Sequence, residues 1–176
     1  MPRYNTFNQI HKALIALLYD TALCLQQTDF GTKEECDAAV EKLVAVLDLF
    51  EAHAHQEDDH LLPALFDFEP SVVDAFEQEH VKVGELSQAL CVTIAEIYRT
   101  KAAAERLRLG RRLTSEFDGF MILYLDHMAK EEDVLNRLLW QYYTDAELQA
   151  MERANCKNIT GKTAIRGQMS AARLLH

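Results

Sequence analysis

The sequence predicts an all-α protein: an up-down antiparallel four-helix bundle with a short C-terminal helical extension. Three observations lead there. Glycine and proline number only 6 and 3 in 176 residues, so little in the chain interrupts a helix. No stretch alternates apolar and polar residues with the period of two that a half-buried strand needs. Four segments instead carry apolar residues at steps of three and four, the spacing that paints one face of a helix. A chain of this length can bury one sizeable core. Residues 1–143 are therefore expected to form the bundle, and 144–176 an extension packing on it or trailing from it.

In the first helix the apolar line runs Phe7, His11, Leu14, Leu18, Thr21, Leu25. The loop QTDFGTKEE follows, with Thr32 as the capping residue of the next helix. The second line is Val40, Leu43, Leu47, Phe50, then Ala54 or its neighbour His53, Glu57 and Leu61. FDFEPSVVD places Pro70 where a helix can begin, since the first turn needs no donor from that residue. The third line is Val73, Phe76, His80, Val83, Leu90, Ile94, Ile97. Left unbroken, this helix would be too long for a compact domain, and a turn is expected between Arg99 and Ala104 with Thr100 as the local cap; Gly110 is not an obvious stop. The fourth line is Phe117, Phe120, Tyr124, His127, Glu131, Val134, Leu138. Thr144 and Glu147 form a capping box for a further start, and NCKNITGK sets off a last, weaker amphipathic segment.

Charge and composition exclude several roles. A formal net charge of -10 argues against a nucleic-acid partner and against docking on anionic lipid, both of which reward positive charge. The N-terminal stretch has no long uncharged run and no small-residue cleavage site, so neither a secretion signal nor a membrane anchor is expected. Cys24, Cys36, Cys91 and Cys156 make no CxxC pair and no disulfide framework. Reduced thiols in a cytoplasmic protein fit this pattern.

Each apolar line turns polar at one level, and those exceptions point to chemistry. An unpaired buried charge costs several kcal/mol, so six such groups need a common compensation. His53 with Glu57, and His127 with Glu131, are HxxxE pairs that put both side chains on one face, a helical turn apart. His11 and His80 are lone histidines on the other two lines. The levels agree: Glu57 and His80 lie almost equally far from Glu69 in the second connection, while His11 and His53 differ by about four residues, about 6 Å. Four imidazoles and two carboxylates around one point in a bundle core suit two metal ions, with glutamates bridging and imidazoles terminal. Non-haem iron is the first expectation, two ions of it, with manganese and zinc as alternatives. A single structural zinc would use four ligands and leave two charged groups without a role.

These residues resemble the hemerythrin-like, or HHE cation-binding, domain. The resemblance spans His11 to Tyr143 and rests on the lone histidine of the first helix, HAHQEDDHLLPAL, EQEH and HMAKEEDVLNRLL. It implies a four-helix bundle around a non-haem di-iron centre, with His11, His53, His80 and His127 as terminal ligands and Glu57 and Glu131 as bridges. It further implies binding of dioxygen, or a response to oxygen, iron or nitric oxide. Two departures stand out. Oxygen-carrying members have a second histidine one turn after the ligand of the third helix, where this chain has Gly84, and use an aspartate at the fifth position where this chain has Glu131 at the fourth. Fewer protein ligands favour reactivity or sensing over carriage of intact dioxygen. The expected function is thus a metal protein that binds or senses dioxygen or a related small molecule; the alternative is a di-iron enzyme acting on peroxide, nitric oxide or ferrous iron.

Other polar residues nearby take plainer readings. His55 faces solvent, well round the helix from His53. His60, three residues from Glu57, falls on the metal face as a further candidate ligand. Tyr124 belongs to the core with its hydroxyl near the site. Glu77, Asp58 and Glu85 are solvated or partner a ligand imidazole. Glu132 turns toward the helix flank.

Overall fold

The computed structural model describes residues 3–153. They are all-α: no strand occurs among them. Helix α1 covers Asn8–Gln27 and α2 covers Lys33–Gln56. A π turn, Glu57–Leu61, joins α2 to the short α3, Leu62–Phe66. Then come α4, Pro70–Arg99, and α5, Ala103–Lys130, which passes through a second π turn, Glu131–Leu135, into α6, Asn136–Tyr142.

The long helices pair in opposite directions. Between α1 and α2 the ring of His11 meets that of His53, while Asp20 meets Lys42 further along. Between α4 and α5, Thr93 bonds Glu116 at one end and His80 meets His127 at the other. Rising numbers on one helix face falling numbers on its partner. Helix α5 also packs on α1, and α4 on α2.

The connections follow local chemistry. Pro70 opens α4 as expected. The third turn is Thr100–Ala102, within the expected interval, but Thr100 ends α4 and Ala102 starts α5 without a side-chain cap. Thr32 precedes α2 as foreseen, yet its hydroxyl bonds Asp29 rather than the helix. The capping box is present: the Thr144 N–H donates to Glu147 at 2.8 Å and the Glu147 N–H to the Thr144 hydroxyl at 3.4 Å. Gly110 does not stop α5. It makes room for Phe30, whose nearest ring carbon would lie 2.1 Å from a Cβ at this position, while Arg106 holds the same loop through the carbonyls of Phe30 and Gly31.

Two apolar clusters lie along the molecule. The larger packs Leu18, Leu43, Leu90 and Phe117 among others. The smaller gathers Phe7, Leu62, Val73, Leu139 and Leu148 at the far end. The polar level lies between them, so apolar side chains close it off above and below. Residues 145–153 are helical and Leu148 is buried in the smaller cluster. The remainder of the expected extension, residues 154–176, with Cys156 and the NCKNITGK break, lies outside the described residues.

One expected line needs correcting. Val134 is 40 % exposed and Leu138 only partly buried, whereas Leu135 and Leu139 are in the core. The π turn is the cause: the Asn136 N–H donates to the carbonyl of Glu131, five residues back. The wider turn takes in one extra residue and shifts the buried face by one position.

Candidate metal centre

Both HxxxE motifs end at the first residue of a π turn. Leu62 N–H donates to the Glu57 carbonyl just as Asn136 does to Glu131. Each glutamate therefore sits where its helix is locally widened, with a regular α-helical histidine one turn before it. Pro63 suits the first π turn, because a residue without an N–H cannot restore the tighter hydrogen-bond pattern there.

His11, His53, Glu57 and Glu131 place one donor atom each within 4.8 Å of one another, and so do Glu57, His80, His127 and Glu131. The two groups share both glutamates. Glu131 lies 3.0 Å from His127 Nε2, 3.3 Å from His11 Nε2 and 3.9 Å from His80 Nε2. Glu57 lies 3.2 Å from His53 Nε2, 3.4 Å from His80 Nε2 and 3.9 Å from His11 Nε2. These contacts are close enough for charge attraction, but none is aligned as a hydrogen bond. Both oxygens of each glutamate, with Nε2 of His11 and His53, are buried without a hydrogen-bond partner. Buried polar atoms are ordinarily satisfied, and six orphaned donor atoms converging on one level are what a cation would satisfy.

The outward ring nitrogens say the same. His11 Nδ1 lies 3.1 Å from Glu132, His80 Nδ1 2.6 Å from Asp58, and His127 Nδ1 2.9 Å from Glu79. A carboxylate at Nδ1 keeps the proton there and leaves the Nε2 lone pair facing inward, as metal-binding imidazoles require. Nε2 of His80 and of His127 are 2.9 Å apart. Glu79 is itself held by Lys130 at 2.8 Å.

Without a cation the cluster stores charge in its histidines. Burial opposes the charge on His11 and on His80. The carboxylates of Glu131 and Glu57 outweigh it at His11, raising its pKa to about 9, and Asp58 with both glutamates raises that of His80 to about 11. Burial also opposes charge on His127, but Glu131 and Glu79 raise it. Burial prevails at His53, which is lowered. For Glu131 burial works against the carboxylate, and the three surrounding imidazoles still hold it well below the ordinary range.

The model of the Hemerythrin HHE cation binding domain matches residues 3–139. The chain belongs to this family. This hemerythrin-like domain is also similar to F-box/LRR-repeat protein 5 of Bos taurus, at 23 % identity over 81 % of this chain and 19 % of that protein. The Salmo salar protein of the same name is 24 % identical over 73 % of this chain and 18 % of its own length. The chain spans about a fifth of the curated relatives it matches.

The structure of this hemerythrin-like domain brings together all six residues expected as ligands. His60 is half-buried and in neither donor group; the wider π turn over Glu57–Leu61 advances less per residue than a regular helix and leaves it short of the Glu57 face. His55 is exposed beside Glu51, as expected. The Tyr124 hydroxyl donates to the Phe50 carbonyl at 3.1 Å; burial, then the charges of Glu57 and Glu131, push its pKa far up. Of the acidic neighbours, Asp58 partners an imidazole while Glu77 and Glu85 are exposed. Glu132, expected at the flank, reaches back to His11. Glu79 was not singled out in the sequence; its signal was its place directly before His80, on an edge that α5 could approach. No helix among the described residues is long and apolar enough to cross a membrane.

Proposed function

We propose that this chain is a cytoplasmic non-haem di-iron protein that binds or senses dioxygen or a related small molecule. Its fold in this reading is the up-down four-helix bundle of hemerythrin-like domains, formed by residues 1–143, with 144–176 as the extension. The observation that carries the proposal is the pair of donor groups sharing Glu57 and Glu131. His11 and His53 would hold one iron, His80 and His127 the other, and the two glutamates would bridge them. Mixed nitrogen and oxygen donors in a bundle core suit iron or manganese better than a four-ligand structural zinc. Iron would supply the affinity for a small redox-active ligand. The protein's part is to hold the Nδ1 proton of His11, His80 and His127 against a carboxylate so that Nε2 is aimed inward for the metal, and to exclude bulk water by apolar packing on both sides.

The test is elemental analysis and visible spectroscopy of protein expressed in iron-rich medium without added chelator. About two irons per chain, the count set by two donor groups, with an optical change that saturates stoichiometrically with dioxygen, supports the proposal. One zinc and no iron overturns the metal assignment. Sustained consumption of peroxide or nitric oxide in the presence of a reductant overturns the binding role and makes the protein an enzyme.

A further inference from the structure

The two donor groups differ in what surrounds them. Every member of the first, His11, His53, Glu57 and Glu131, is buried, and none lines the groove that reaches the second. In the second group His80 is only partly buried, and its ring lines a groove of about 1070 Å³ between α2 and α4. The groove floor is apolar, with Phe50, Val83, Phe120 and Tyr124. Gly84 lies one helical turn beyond His80 on the same face and lines the groove too. A Cβ at Gly84 would meet no atom within 4 Å, so packing against a neighbour does not account for this glycine. Its effect is to leave the groove open beside His80.

We propose that small molecules reach the metal centre through this groove and bind at the metal held by His80 and His127, not at the enclosed metal of His11 and His53. The inference rests on the di-iron reading above and deepens it. The groove also selects by charge. Asp48, Glu51, Glu77 and Glu96 line it against the single arginine Arg99, with Asp58 paired to His80, on a chain of net charge -10, and such a field lowers the local concentration of anions. The groove therefore disfavours azide and other anions relative to an uncharged small molecule such as dioxygen, nitric oxide or hydrogen peroxide.

Gly84→Leu fills the groove beside His80 without replacing a proposed ligand, and Gly119→Leu is the control: it too has no atom within 4 Å of a Cβ, is exposed and does not line the groove. Ser87→Leu, three residues further along the groove, is a second obstruction for use if Gly84→Leu takes up less iron. Stopped-flow absorbance follows nitric oxide binding to the anaerobic ferrous proteins, with iron content measured on the same samples. Association about tenfold slower in the groove variant, the low end of on-rate changes within one binding surface, with the control at the wild-type rate, is the expected result. Equal rates in wild type and in an iron-replete groove variant overturn the proposal. Wild-type protein without iron overturns the di-iron reading itself, so the two failures are distinct. Azide should associate faster as salt rises, because screening weakens like-charge repulsion; salt-independent azide association overturns the charge selection.

Discussion

Glu131 and Glu132 are adjacent in sequence and both touch His11, which makes them a sharp test of the bridging role. Glu131 has both oxygens buried without a hydrogen-bond partner and contacts imidazoles of both donor groups. Glutamine at 131 keeps the shape but removes the charge and one of the two oxygens. Glutamine at 132 keeps an oxygen that can still accept the proton of His11 Nδ1, from a side chain that is 40 % exposed. Loss of an outer partner typically weakens metal binding about 10- to 100-fold, so loss of a shared bridge should reach about 100-fold at least. At metal concentrations about 100 times the dissociation constant, wild-type protein gains about 2.7 kcal/mol, and a 100-fold weaker variant about 0.4 kcal/mol. At about 2–4 °C per kcal/mol for a domain of this size, the metal-induced rise in Tm falls from about 5–11 °C to about 1–2 °C. Differential scanning calorimetry with and without ferrous iron, under anaerobic conditions, measures both shifts. Comparing shifts, rather than absolute Tm values, removes any effect of the substitution on the metal-free fold. Glu131→Gln and Glu132→Gln giving equal shifts and equal iron content would refute the bridging assignment.

Metal-free protein should lose stability as pH rises. The folded pKa values of His11 and His80, about 9 and about 11, exceed the ordinary 6.5; their stabilisation is complete below 6.5 and disappears as pH passes through the raised values. Iron affinity should move the other way over the same range, because the metal displaces those protons; urea unfolding and iron titration from pH 6 to pH 10, a range of about four units chosen around the shifts, check both slopes. Asp58→Ala, removing the partner of His80 Nδ1, should weaken iron binding about 10- to 100-fold, and Asp58→Asn less, since its oxygen can still accept; competition with a chelator measures the order. Gly110→Ala should destabilise the fold by about 1–2 kcal/mol, because overpacking Phe30 costs about 1–3 kcal/mol and the helix gain of up to about 1 kcal/mol offsets only part of it; urea midpoints report it, and an unchanged midpoint would mean the loop moves aside freely.

Much of the site was legible because it violates the pattern that makes the fold legible. The same three-and-four spacing that marks Leu14, Leu43, Leu90 and Phe117 as core marks His11, His53 and His127 as core too and leaves His80 partly buried at the same level, and a polar residue on such a line needs a reason. The levels could be matched because short connections fix which residues of antiparallel neighbours meet. Beyond Glu131 the reading slipped by one residue, from Leu135 to Val134 and from Leu139 to Leu138. A π turn has no composition of its own: after Glu57 the proline at 63 hints at one, but EEDVL has no such mark. The outer carboxylates were legible only in part, since whether Glu79 and Glu132 reach an imidazole depends on side-chain rotamers and on the neighbouring helix.

The two π turns explain why a site of this kind coexists with a stable core. In a regular helix, residues after a buried glutamate continue the same face, so the polar level and the apolar end cluster would have to share one continuous stripe. Inserting one residue directly after the HxxxE pair lets the histidine and glutamate converge on the shared donor level while Leu61 and Leu62, or Leu135 and Leu139, are set anew against Phe7 and Val73. The local loss of regular hydrogen bonding falls where the bound metal can compensate it. Metal-free protein should therefore show fast amide exchange across both π turns, at Glu57–Leu61 and Glu131–Leu135, beside slower exchange at Leu43 and Phe117 in the larger cluster. Iron binding should slow the first set selectively. Exchange that slows uniformly along all the helices would mean the metal stabilises the fold as a whole and that the π turns carry no special share of the coupling.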